Sequence, residues 1–135
     1  MPLWQSELRN YVVTYKRTEG PITITETQDI EFRPPAPHKY FSYVEGVRIN
    51  ATNPNGSGVS LTISIHVRYE DYTGDELAIV TVAEGETFDD WLRWMYDEVT
   101  HKKKIISVIV RCECPATPAS GYEPTVTATV TGTIQ

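Results

Sequence analysis

The residue types best suited to chemistry in this chain are Cys112, Cys114, His38, His66 and His101. Thiolate sulfur and imidazole nitrogen are zinc ligands, so a Cys-x-Cys pair with His66 or His101 would satisfy a tetrahedral site on paper. No second pair stands at zinc spacing, however, and the segment holding the cysteines is strand-like. Alternation there turns Cys112 and Cys114 to one side with Ile106, Val108 and Val110, where buried cysteine serves as a small hydrophobe. Two residues apart on one face is also poor disulfide geometry, so free thiols and no metal are expected. The three histidines lie far apart, no Ser, His and Asp set sits in a recognisable elbow, and no glycine loop follows a strand to cradle phosphate. The expectation is a protein that is not an enzyme and carries no cofactor.

Binding has more candidates than catalysis. Trp94 falls off the centre of the apolar stripe around it, and an exposed indole offers large contact area at little entropic cost. Trp4, Tyr72 and Tyr122 are further aromatic groups able to stack on a ring. Lys102, Lys103 and Lys104 form a basic run, read here as cations completing a helix end and keeping a sheet edge soluble. Glu70, Asp71, Asp75 and Glu76 crowd one turn without the alternating acids of a calcium loop, so they read as a solvated hairpin tip. Asn50-Ala51-Thr52 and Asn55-Gly56-Ser57 are formal glycosylation sequons, though Asn55-Gly56 is equally a turn signal.

The elements that must position these groups are mainly strands. Val59, Leu61, Ile63, Ile65, Val67 and Tyr69 alternate without a fault with polar residues, the mark of a half-buried antiparallel strand. Val126, Ala128, Val130 and Ile134 alternate with threonines in the same way, with Gly132 marking a gap or bulge. Shorter patterns occupy 11–15, 22–26, 40–50, 77–83 and 105–114. The turn cluster at 53–58 predicts a hairpin between the strands beside it, and 71–75 predicts another. One segment breaks the period: Phe88, Trp91, Leu92, Met95 and Val99 fall at helical spacing, with Thr87 and Asp90 placed as a capping pair. A helix of about three turns over 87–100 follows, with Trp91 in the core.

The chain has 135 residues, 40% of them apolar and 22% charged, the profile of one ordinary globular unit. The domains expected are an N-terminal arm over 1–9, containing Leu3, Trp4 and Leu8, and one sandwich over 10–135. A net charge of -6 disfavours nucleic acid and anionic lipid, whose binding depends on neutralising negative charge. No apolar run is long enough for a membrane span, so no membrane insertion is expected, and the first ten residues lack the order of a signal peptide.

Together these features predict an all-β fold, an antiparallel β-sandwich of seven or eight strands with one inserted helix near 87–100. That plan resembles a jelly roll or a related sandwich, a likeness of overall pattern that identifies no functional residue. The function expected is structural or interactive: a virion shell, cement or head-decoration subunit, assembled in the cytoplasm as a homo-oligomer or on a capsid lattice. The second expectation is a carbohydrate-binding module using Trp94, Trp4, Tyr72 and Tyr122.

Overall fold

The computed structural model describes residues 13–93 and 103–135. Within them the chain is all-β, with eight strands: β1 (Val13–Thr23), β2 (Gln28–Phe32), β3 (Phe41–Thr52), β4 (Leu61–Tyr69), β5 (Gly74–Val82), β6 (Thr87–Leu92), β7 (Ile105–Glu113) and β8 (Thr125–Ile134). Every pairing is antiparallel.

The pairings fall into two runs of four, β1-β8-β3-β6 and β2-β7-β4-β5. A single pair, Phe41 with Ile105, joins them into one continuous open sheet. The alternation of β4 and β8 is the cause of their placement at or next to the middle of a run. Leu61, Ile63, Ile65 and Val67 lie within 2% of full burial, as do Val126, Ala128, Val130 and Ile134. These residues join Val47, Ile49, Val108 and Val110 in one core cluster contributed by both runs. Non-directional burial of this kind is the main favourable term in folding, about 25 cal/mol per Å² of apolar surface. Threonines 125, 127, 129, 131 and 133 take the opposite, half-exposed face of β8.

Four expectations are corrected by these pairings. The helix over 87–100 is not formed at its start: residues 87–92 are β6, laid antiparallel on β3 from Thr52↔Thr87 to Val47↔Leu92. The physical reason lies in the spacing, because residues four apart share a face in both a helix and a strand. Phe88 and Leu92 therefore pack on the core either way. Trp91, three from Phe88, separates the two readings, and it faces the other side, paired with Arg48 and half-exposed. Asp90 does not close a capping box but accepts the Trp91 N–H at 2.7 Å. A ladder along the free side of β3 outweighs a short helix, which is marginal without packing. The rest of the proposed helix, residues 94–100, lies outside the described residues.

The second correction concerns 53–58, which closes no hairpin. β3 and β4 pair with β8 and β7 respectively, so this loop crosses between the runs. Its polar residues build the crossing: Asn53, fully buried, donates through Nδ2 to the carbonyls of Val59 and Val82 and accepts from Ser57 Oγ. Third, β1 is one strand where two were expected at 11–15 and 22–26, continuing through a register shift between Glu19 and Ile22. Fourth, residues 28–32 form a strand not anticipated, seating Ile30 and Phe32 against Val110 and Val108. The hairpin at 71–75 is present between β4 and β5. The irregularity expected near Gly132 is present too, as extra residues in β3 opposite it: the register shifts between Phe41 and Tyr43 and again between Val44 and Gly46.

Candidate functional site

Cys112 and Cys114 are free, buried thiols. Cys112 pairs across β4 with Ile63 on the core side, and burial pushes its thiol up to about 12. Cys114, just beyond β7, donates its thiol to the Ala116 carbonyl at 3.1 Å. His66 sits on the opposite side of the same sheet, level with Ile109, so it cannot join the Cys112 thiol at one ion. Among the described residues no group of three His, Cys, Asp or Glu side chains is placed to hold a metal.

That outer side of β4 and β7 carries a concave site. A pocket of about 230 Å³ is lined by His66, Arg68, Tyr72, Gly74, Asp75, Glu76, Ile109 and Arg111, with Val67. Three strands and one turn supply it. Residues 66 and 68 alternate outward from β4 because 65, 67 and 69 take the core, and the cross-strand partners of His66 are Glu76 on β5 and Ile109 on β7. Ile109 is buried on this outer side, so the pocket has an apolar floor under a polar wall.

His66 Nε2 lies 2.9 Å from Ser64 Oγ and 3.9 Å from Glu76 Oε1. A hydroxyl, an imidazole and a carboxylate are therefore adjacent, yet both partners address the same ring nitrogen. A relay needs the acid on one nitrogen and the hydroxyl on the other, so this trio orients His66 and does not activate Ser64. Arg111 is already engaged, forking onto Asp29 at 2.9 and 3.3 Å. Arg68 is half-buried, and among the described residues no carboxylate lies within ion-pair distance of it.

The turn beside the pocket is held by nearly all of its own groups. Asp71 Oδ1 accepts from the Thr73 N–H at 3.1 Å and from its hydroxyl at 2.5 Å, while Lys103 Nζ stands 2.9 Å from Asp71 Oδ2. Those hydrogen bonds to the ionised form hold the Asp71 carboxyl down at about 2. Lys103 also donates to Thr73 Oγ1 and lies 5.6 Å from the Tyr69 ring centre. Tyr69 donates its hydroxyl to Asp75 Oδ2 at 2.7 Å, and the Tyr72 N–H reaches the Tyr69 carbonyl at 3.0 Å. The Tyr72 ring projects: it is 81% exposed, on a backbone with φ of 65°. Left-handed backbone at an aromatic residue costs on the order of 1–3 kcal/mol and persists only where the surroundings over-determine it.

The other sequence candidates lie elsewhere. Tyr122, half-exposed, stands over Gly56 in the crossing loop. That loop precedes β4 and the Tyr72 turn follows it, so a strand of about 3.3 Å per residue separates the two tyrosines. Trp94 and Trp4 lie outside the described residues, as do His101, Lys102 and the arm over 1–9. Lys104 stacks its ammonium 4.6 Å from the Tyr40 ring. Arg68 does not stand out in sequence beyond the outward alternation of β4, and Glu76, read there as part of a solvated hairpin tip, instead faces His66 across the sheet. No helix among the described residues is long and apolar enough to cross a membrane. The chain matches no protein-family model and no curated protein.

Proposed function

We propose that the chain is a non-enzymatic jelly-roll β-sandwich that works by packing against copies of itself, as a virion shell, cement or head-decoration subunit assembled in the cytoplasm. The observation that carries the fold half of this reading is the nesting of its pairs. β1 pairs with β8, β2 with β7, β3 with β6 and β4 with β5, a nesting that fits one long hairpin rolled up into two layers. Eight strands in two four-stranded layers is the jelly-roll plan, recurrent in capsid and lectin domains. In this reading 10–135 is one domain and 1–9 is an arm laid on a neighbour.

Fold alone does not assign assembly, so the surface must support it. Tyr43 is 52% exposed on the threonine side of the β1-β8-β3-β6 run, and Ile79 is 60% exposed on the outer side of β5. β5 is an edge strand among the described residues, with Leu77, Ala78, Ile79 and Val80 consecutive and no proline or lysine to blunt it. Such an edge is a template for another chain. Light scattering on the full chain tests the reading: a symmetric oligomer is expected at about 100 µM, and Ile79→Lys should dissociate it. A strict monomer that also binds no capsid particle overturns it. The carbohydrate reading has its own support in the Tyr72 turn.

A further inference from the structure

We infer that the outer surface at the β4–β5 hairpin is a saccharide-binding site, in which the Tyr72 ring stacks on one pyranose while Arg68 donates to its hydroxyls and Glu76 accepts from them. The inference is independent of self-assembly, since it uses a turn and a pocket and not the β5 edge.

Size argues first. At about 230 Å³ the pocket lies below the roughly 300 Å³ at which sites for drug-sized ligands begin, so it suits a single small ring. Its lining argues for a polyol. A pyranose presents hydroxyls that each donate and accept, around a face of C–H groups that is apolar. Arg68 has donors and no acceptor, Glu76 has acceptors and no donor when ionised, and adjacent hydroxyls can satisfy both. The apolar C–H face needs an aromatic surface, and Tyr72 is the residue the turn displays.

Preorganisation argues next. Asp71, Thr73, Lys103, Tyr69 and Asp75 are all engaged in holding the turn, and the strained residue between them, Tyr72, is the one whose ring is presented. A group held ready in its binding pose loses little entropy when a ligand arrives. An inorganic anion fits less well, because Asp75 and Glu76 line the same pocket and Arg111 is taken by Asp29.

The test is a titration of the full chain with glucose, galactose, mannose and N-acetylglucosamine, each to about 100 mM, followed by amide chemical shifts. At least one sugar should shift the amides of Tyr72, Gly74 and Glu76 in a saturable way. Tyr72→Ala should weaken that response about tenfold or more, and Arg68→Ala and Glu76→Gln should each weaken it, while Tyr43→Ala on the other run leaves it unchanged. Tyr72→Gly suits the left-handed backbone and should abolish binding without lowering the melting temperature, which separates loss of the ring from loss of the fold. Failure of all four sugars to shift the pocket amides, or unchanged affinity in Tyr72→Ala, overturns the inference. An oligomer indifferent to sugar would remove this site and leave the assembly reading standing; a sugar-binding monomer would do the reverse.

Discussion

The side-chain nitrogen of Asn53 lies 3.0 Å from the carbonyl oxygen of Val82, 29 residues away in sequence. With its bonds to Val59 and Ser57, this contact ties the end of β3 to the start of β4 and the end of β5. Glu84 extends the tie by accepting the Gly56 and Gly58 N–H groups at 2.8 and 3.2 Å. Asn53→Ala removes a buried donor from the Val82 and Val59 carbonyls, the latter keeping only the Ser57 hydroxyl at 3.3 Å, and should cost about 2–4 kcal/mol, read from denaturant midpoints at constant m-value. A cost below about 0.5 kcal/mol, ordinary for a surface change, would mean the loop is not cross-linked this way.

Trp91 and Ile63 should behave in opposite ways to their sizes. Trp91 sits half-buried on the outer side of β6, its ring 5.2 Å from the Arg93 guanidinium, so Trp91→Ala should cost about 1–2 kcal/mol, less than a core truncation despite its size. Ile63 is fully buried, and Ile63→Ala should cost about 2–5 kcal/mol. The reverse ranking in thermal or denaturant melts would return Trp91 to a core position and contradict β6.

Alkaline stability should carry the signature of Cys112. Its thiol is raised from 9.0 to about 12 in the folded chain by burial. Below pH 9 both folded and unfolded thiols keep their proton, so the group adds no pH dependence. As pH climbs from about 9 toward 12, the unfolded thiol ionises first and pulls the equilibrium toward unfolding. Stability should therefore fall by up to about 4 kcal/mol across that window, and Cys112→Ala should remove that part of the slope. Tyr15, also raised by burial, adds a loss of the same sign that persists in the variant. Equal slopes in wild type and Cys112→Ala would place the thiol in solvent.

Asp71 makes the opposite prediction in acid. Its folded carboxyl lies near 2 against 3.8, so its support for the turn is present above pH 3.8 and is lost as pH falls through about 2. Carbon-detected titration should show its carboxyl still ionised at pH 3, when exposed carboxylates are protonating. Lys103→Met should raise that midpoint and speed exchange of the Thr73 amide, because one charge-assisted contact to Asp71 is gone. A midpoint unchanged near 3.8 in both proteins would show that the turn is not held by this carboxylate.

The candidate saccharide site was legible only in part. Tyr72 drew notice as an aromatic residue in a turn, and the outward positions of His66 and Arg68 followed from the alternation of β4. That Glu76 opposes His66 depends on a register shift beside Ile65, which no periodicity reveals. The strain at Tyr72 was equally invisible, since a left-handed φ at a bulky residue runs against local preference and is imposed by the contacts around it.

By itself the sequence determined the strand character of β4, β7 and β8, the inward thiol of Cys112 and the β4–β5 hairpin, because each rests on alternation or turn chemistry within a few residues. Tertiary structure decided which strands became neighbours. The loop at 53–58 has hairpin composition, yet β3 and β4 each find a better-matched apolar partner far along the chain, in β8 and β7. It also decided β2 and β6, short segments whose few apolar residues leave the local period weak or ambiguous. They are strands because the free sides of β7 and β3 offered unpaired backbone groups, and a ladder on a built sheet satisfies those groups more fully than an isolated turn of helix can.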